Sequence, residues 1–153
     1  MTIRVVVTVL VCLAFPSIAL ADVGVVKVSK GIAVVERGGQ RLAAAVGMKV
    51  HEGDVVVTGR DGAIGITFQD NSLMSLGPDS RLSIDRFAFD STTHRGAFES
   101  SLGQGTLSAV SGKIAKQSPD AMKVRTPAAL LGVRGTEFLV RTGEPSHPTG
   151  ITR

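Results

Sequence analysis

Apolar residues beyond residue 22 recur in short runs separated by turn-forming residues. β-Branched runs at 25–28, 32–35 and 55–57 are each bounded by glycine or by polar residues. Between residues 64 and 68, apolar side chains alternate with Gly65 and Thr67, the period of a strand with one buried face. Strands therefore recur roughly every 8 to 10 residues, which is typical of an all-β domain and excludes repeated strand–helix–strand units.

Turn chemistry supports the same prediction. The paired glycines Gly38 and Gly39 suit a hairpin turn, because both can adopt positive φ. Further turns are predicted at 69–71 and 77–79, and the strands after them place alternating apolar residues inward: Met74, Leu76, Leu82 and Ile84. This spacing is compatible with a β-sandwich, a β-roll or a short β-helix.

Regular alternation weakens between residues 85 and 99, where the polar segment 90–96 indicates an exposed loop. Helix signals are weak. The best candidate is a single turn over residues 128–131, between Thr126-Pro127 and Gly132. Residues 143–153 contain two prolines and two glycines with few apolar residues, and we expect a loose tail.

The first 21 residues have the three-part pattern of a secretory signal peptide. Arg4 precedes an almost unbroken apolar run at 5–15, and Ala19 and Ala21 stand at the −3 and −1 positions before Asp22. The apolar run is shorter than the roughly 20 residues of a transmembrane helix, so an uncleaved anchor is the less favoured alternative. We predict domain boundaries of 1–21 (signal peptide), 22–142 (β domain) and 143–153 (tail), with no stable membrane span after cleavage and a periplasmic mature protein.

The composition of the chain after the predicted leader excludes some classes of function. The 153-residue chain has 17 Lys+Arg, 13 Asp+Glu and a single cysteine, Cys12, inside the predicted leader. A cysteine-free mature chain excludes thiol catalysis and thiolate metal sites. Basic residues exceed acidic ones after residue 100, which suits an acidic protein or an anionic glycan. Export and the scarcity of aromatic residues argue against nucleic acid.

No catalytic, metal or cofactor site is predicted. His51 and Glu52 are neighbours and would point to opposite faces of a strand, so they cannot share a metal ion. The serines lack a Gly-x-Ser-x-Gly elbow, and Gly103-x-Gly105 lacks the third glycine of a dinucleotide site. In Gly112-Lys113, the next residue is not the Ser or Thr that a phosphate-binding loop requires.

The most specific motifs lie near the end of the predicted domain. A Val-x-Thr-Pro element contains Thr126 and Pro127, and a Gly-Val-Arg-Gly-Thr-x-Phe element contains Gly132, Arg134, Gly135, Thr136 and Phe138. Together they resemble the FecR domain family of bacterial envelope proteins. Upstream, Gly53-Asp54 and the turn at 70–73 resemble that family's opening and middle. The resemblance runs from about residue 25 to residue 140.

The resemblance implies an all-β extracytoplasmic domain with short strands in a β-helix-like (solenoid or roll) arrangement. Its best-known members belong to membrane-spanning regulators that control a cytoplasmic sigma factor. Only four residues precede the apolar run here, and no second periplasmic module follows residue 140. We therefore expect no direct anti-sigma activity from this chain.

Two functions follow from these observations. The first is a non-catalytic interaction module in envelope signalling or scaffolding that binds an envelope protein. Its short edge strands would pair with a strand of the partner, and its basic residues would attract an acidic partner. The second is a periplasmic binder of a small molecule or an envelope polysaccharide, which the scarcity of aromatic platforms disfavours.

Among the signature residues, Arg134 can form the most hydrogen bonds, since its guanidinium offers five hydrogen-bond donors. We predict that it is a structural clamp, paired with backbone carbonyls or with a carboxylate such as Asp54 or Asp85. A ligand-anion site is the alternative. The flanking Gly132 and Gly135 would allow positive φ or a close backbone approach.

The leader assignment yields the first test. Expressed in a Gram-negative host, the protein is expected to appear in the periplasm with Asp22 as its first residue, as read by intact mass and N-terminal sequencing. Ala21→Phe should block processing, because the −1 position requires a small side chain. A periplasmic product that retains residues 1–21 would contradict the prediction.

Overall fold

The computed structural model describes residues 20–143, so most of the predicted signal peptide and nearly all of the predicted tail lie outside the described residues. Twelve strands make up most of this region, with one short helix, α1 (Lys113–Gln117), and a 3-10 turn at Pro119–Ala121. The strands are β1 Asp22–Lys30, β2 Ala33–Arg37, β3 Gln40–Ala43, β4 Lys49–His51, β5 Val55–Thr58, β6 Ala63–Phe68, β7 Leu73–Leu76, β8 Arg81–Phe89, β9 Gly96–Val110, β10 Met122–Arg125, β11 Leu130–Gly132 and β12 Glu137–Thr142.

The strands form one curled, mainly antiparallel sheet whose two halves share β9. The main path runs β3-β2-β5-β8-β9-β7-β6-β1-β4. On the other side of β9, its first part pairs in parallel with β10, and its last part pairs antiparallel with β12. The sheet thus resembles half of a barrel, with β9 as the strand about which it curls.

The curl originates in the middle of β9. Leu102 pairs with Leu82 and Gln104 with Arg81, so Gly103 is an extra residue in β9, a β-bulge. Gly105 follows with φ of +93°, a conformation that side-chain-bearing residues rarely adopt. A bulge and a positive φ within three residues bend the strand and turn the two halves toward each other.

The core lies between the two halves and contains most of the phenylalanines. Phe68 on β6 packs against Phe87 on β8 and Phe98 on β9, with ring centroids 5.7 and 4.5 Å away. Because β6 belongs to one half of the sheet and β8 to the other, this cluster joins them. Phe89 and Phe138 also pack, partly buried, against this core.

Several local predictions are confirmed. Gly38 and Gly39 have φ of +53° and +80° and close the β2–β3 hairpin, in which Arg37 faces Gln40. The alternation at 64–68 is β6, and Met74, Leu76, Leu82 and Ile84 are all buried. The fold is mostly β, as predicted. The β-helix-like arrangement is not confirmed, because the strands form a single curled sheet in which every described pair except β9–β10 is antiparallel.

Of two further local predictions, one is confirmed and one is wrong. The exposed loop predicted at 90–96 is confirmed, since it connects β8, which ends at Phe89, to β9, which begins at Gly96. A second register shift between Ile84 and Arg86 places Ile84 and Phe87 inward, which hides the two-residue period. Residues 128–131 form no helical turn, because Leu130 and Leu131 pair with β10. The helix lies instead at Lys113–Gln117, where Ile114 and Ala115 are buried.

Two buried carboxylates hold turns in place. Asp54, 1% exposed, accepts two hydrogen bonds from the Arg37 guanidinium (2.8 and 2.6 Å) and one from the His51 amide (2.8 Å). The hydrogen bond to Asp54 raises the pKa of Arg37 above its usual value. Asp70 accepts hydrogen bonds from the Ser72 amide and hydroxyl, and Ser72 in turn accepts one from the Gly112 amide ahead of α1.

No helix within residues 20–143 has the length and apolar character needed to cross a membrane.

The Arg37–Asp54 pair generates a stability prediction with a matched control on the same hairpin. Arg37→Met should lower the free energy of unfolding by about 2–4 kcal/mol, because it leaves the buried Asp54 carboxylate without its charged partner. Arg41→Met should leave the urea midpoint almost unchanged, since Arg41 is exposed and lies 3.6 Å from Glu36. Equal midpoints for the two variants would contradict this role of the buried pair.

Candidate binding site

An open cleft of about 890 Å³ lies at the bend of β9. Its walls are the β7–β8 turn with Pro78 and Asp79, the β10–β11 turn, and the end of β12. Its base is the bent segment 103–106 of β9. The lining is composed of small and polar residues and of Pro78 and Pro127: Pro78, Asp79, Gly103, Gln104, Gly105, Thr106, Thr126, Pro127, Ala128, Arg141, Thr142 and Gly143.

The cleft coincides with a gap in strand pairing. On the side of β9 that bears β10 and β12, pairing with β10 ends at Ser101, and pairing with β12 begins at Gly105. Residues 102–104 have neither strand beside them on that side. The bend separates β10 from β12, so a short stretch of strand edge faces the cleft.

A network of hydroxyl groups fixes the wall nearest the bend. The Thr58 hydroxyl donates to the Gly77 carbonyl at 2.7 Å and accepts from the Ser80 amide at 2.9 Å. The Ser80 hydroxyl accepts from the Thr106 amide at 2.9 Å. Ser80 is 1% exposed. This network holds the β7–β8 turn against β9, so this wall of the cleft is fixed by hydrogen bonds within the fold.

The opposite wall is a tight turn that contains two signature residues. The Thr126 hydroxyl accepts from the Ala129 amide at 3.0 Å, so Thr126 closes the β10–β11 turn and Pro127 projects from it. Gln104 donates to the Asp79 carbonyl across the base of the cleft at 3.1 Å. The Thr142 hydroxyl is buried without a hydrogen-bond partner among the described residues.

The lining offers groups that can form hydrogen bonds and ion pairs. It offers backbone groups, hydroxyls, one amide, one carboxylate and one guanidinium, and it contains no histidine or cysteine. Within residues 20–143, no group of three or more His, Cys, Asp or Glu side chains is placed to hold a metal ion. His51, considered above, contacts Asp22 through Nε2 at 2.9 Å and lies outside the cleft.

The signature residues fall into three places. Gly53 and Asp54 lie at the β4–β5 turn, where Asp54 forms the buried pair with Arg37. Thr126 and Pro127 line the cleft. The remaining members lie on β11, on β12 or in the connection between them: Gly132, Arg134, Gly135, Thr136 and Phe138.

Arg134 is not the buried clamp that the sequence predicted. Its side chain is 76% exposed and lies 3.4 Å from the exposed Asp120, and it forms no described contact with Asp54 or Asp85. Asp54 is occupied by Arg37, and Asp85 contacts the hydroxyls of Ser83 and Ser101. A pair between two exposed side chains contributes little to stability.

The glycines that flank Arg134 differ from each other. Gly135 has φ of +123°, so the expectation of positive φ holds there. Gly132 lies on β11 with an ordinary φ and no heavy atom within 4 Å of an added Cβ. The connection between β11 and β12 is instead held by backbone contacts, in which the Ser111 amide donates to the Thr136 carbonyl at 2.8 Å.

For the leader, the structure describes Ala21 and Asp22 but not Ala19. Ala21 is exposed, and β1 begins at Asp22. The predicted cleavage point therefore coincides with the first residue of the first strand.

Sequence reasoning missed the two residues that create the cleft, Gly103 and Gly105. A signal was present, because two glycines separated by one residue interrupt a strand pattern, and that arrangement indicates a bulge or a close backbone approach.

These two glycines provide a matched stability test. A Cβ on Gly105 would lie 2.1 Å from the Ser80 hydroxyl at a φ of +93°, so Gly105→Ala should cost at least about 2 kcal/mol. At Gly103 the nearest atom would be 3.9 Å away, and Gly103→Ala should change stability by no more than about 0.5 kcal/mol. Thermal and urea unfolding of the two variants measure the difference. A tolerated Gly105→Ala would contradict the account of the bend.

Comparison with known proteins agrees with the motifs. A family model described as FecR protein matches residues 54–150. The match begins later than residue 25, continues past residue 140, and contains every signature residue except Gly53. Neither the search of curated proteins nor the search of solved structures gave a match. With most of its length matched and its motifs in place, the chain belongs to the FecR protein family, a family of generally non-enzymatic, envelope-associated signalling domains.

Proposed function

We propose that this chain is a non-catalytic interaction module of the bacterial envelope, acting in signalling or scaffolding, that binds an extended segment of an envelope protein in the cleft at the bend of β9. The observation that carries this proposal is the coincidence of the cleft with the unpaired edge at residues 102–104. Extended peptides bind such edges through backbone hydrogen bonds, while nearby pockets select their side chains.

The charges around the cleft favour an acidic segment. Within the lining, the charges of Arg141 and Asp79 balance, and the excess of positive charge comes from the part of the chain after residue 100, where Lys and Arg outnumber Asp and Glu. Such an excess would accelerate association with an acidic partner and disfavour basic ones. A carbohydrate is less suited to this cleft, because no aromatic ring lines it.

The periplasmic location and the lack of direct anti-sigma activity are parts of the same proposal. Their support is the leader predicted at residues 1–21, which lies outside the described residues. Membership of an envelope-associated family agrees with that location.

Site-specific photocrosslinking tests the cleft directly. A photoreactive residue at Ala128, in the cleft wall, should capture one envelope protein in living cells, with the crosslink located in an extended acidic segment by peptide mass spectrometry. The same residue at Ser91, in the exposed β8–β9 loop, is the control and should not capture that protein.

A second variant links capture to the cleft itself. Gly103→Arg fills the base of the cleft from a position with room for a side chain, and it should abolish capture while leaving the melting temperature nearly unchanged. Ser91→Arg should retain capture. Undiminished capture by Gly103→Arg, or a bound sugar or small molecule in place of a protein, would overturn the proposal.

A further inference from the structure

Strand β12 is an edge strand with an unusual composition. It pairs with β9 on one side, and within residues 20–143 no strand pairs with its other side. It has six residues, whereas the edge strands β3, β4 and β11 have four, three and three. At its centre, Leu139 is 70% exposed. A longer edge strand with an exposed apolar centre is a template for pairing with another strand.

Charges lie symmetrically about Leu139. Glu137 and Arg141 stand two residues before and after it, and because side chains alternate along a strand, all three project from the same face. Their neighbours on β9, Val110 and Thr106, are uncharged. Among the described residues, neither Glu137 nor Arg141 forms an ion pair.

This symmetry identifies the complementary strand as β12 itself. We propose that two copies of the chain associate by antiparallel pairing of their β12 strands, with the two-fold axis at Leu139. In that register the two Leu139 side chains meet, and Glu137 lies opposite Arg141 of the partner subunit at both ends. Opposite charges and apolar pairs directly across antiparallel strands both stabilise the pairing.

The other face of the strand fits the same register. Phe138 lies opposite Val140 of the partner subunit, and both positions already pack against the core within each copy. The two curled sheets become continuous through the interface, which removes an exposed edge from each copy. The contact is isologous, so it closes at two subunits and does not propagate into a fibre.

Charge reversal tests the register. Glu137→Arg places two arginines opposite each other at both ends of the interface, and Arg141→Glu places two glutamates there. Each single variant should weaken dimerisation about tenfold or more in sedimentation equilibrium of the exported protein. The double variant Glu137→Arg/Arg141→Glu restores both opposite-charge pairs and should return the dissociation constant to near the native value.

Mixing the two single variants gives a sharper result. A Glu137→Arg chain and an Arg141→Glu chain are complementary at both ends, so a heterodimer should form at concentrations at which each variant alone is largely monomeric. Arg134→Glu, a charge reversal at an exposed residue outside β12, is the matched control and should leave dimerisation unchanged. Melting temperatures of all variants confirm that the fold is intact.

Cysteine crosslinking locates the axis. In a chain with Cys12→Ser, Leu139→Cys places two thiols directly opposite each other, where the Cα separation of about 4.5–5.5 Å permits a disulfide. Glu137→Cys is the control, because its two thiols would be offset by about 14 Å along the strands and should not crosslink.

The outcomes separate this proposal from the function of the cleft. The dimer proposal would be overturned if the protein stayed monomeric throughout the concentration series, or if neither single charge reversal changed the dissociation constant. Crosslinking through Glu137→Cys but not through Leu139→Cys would also overturn it. Gly103→Arg, which obstructs the cleft, should leave the dimer unchanged. Because Arg141 also lines the cleft, the two proposals are separated by Glu137→Arg, which lies outside the cleft lining, and by Gly103→Arg. With these two variants, dimerisation and partner capture can fail independently.

Discussion

The close contact between Gly105 and Ser80 is the constraint on which the rest of the structure depends. Gly105 adopts a positive φ and lies so close to Ser80 that a Cβ on Gly105 would have no room. Gly103, two residues earlier in the same strand, is the extra residue of a β-bulge. β9 therefore bends and contributes to both halves of the sheet. The shared phenylalanine core, the separation of β10 from β12 and the cleft between them all follow from this bend.

Elsewhere the fold is held by small, fully bonded polar groups placed at turns. Asp54, Asp70 and Ser80 are nearly inaccessible to solvent, and each accepts hydrogen bonds from neighbouring turns or strands. Buried polar groups of this kind stabilise a structure only when their partners are present. Of the polar residues of the family signature, Asp54 bonds Arg37 and the His51 amide, and Thr126 closes the β10–β11 turn.

Agreement between sequence and structure is best where the determinants are local. Paired glycines are sufficient for the hairpin at Gly38-Gly39, and alternation is sufficient for β6. The alternation weakens after residue 85 because a bulge between Ile84 and Arg86 shifts the inward-facing residues by one. Prediction failed at 128–131 because pairing with β10 outweighed a weak local helix preference. Of the candidate site, only Thr126 and Pro127 were singled out in advance.

The sequence by itself determined the all-β class, the family, the leader prediction and the absence of thiol chemistry in the predicted mature chain, because each depends on residue identity and short-range spacing. Only the tertiary structure decided which carboxylate pairs with which arginine, assigning Asp54 to Arg37 and leaving Arg134 exposed. It also decided that Gly103 and Gly105 bend a strand and that, within residues 20–143, no strand pairs with the outer side of β12. Such features depend on segments distant in sequence, and a one-residue register shift reverses which side chains face the core.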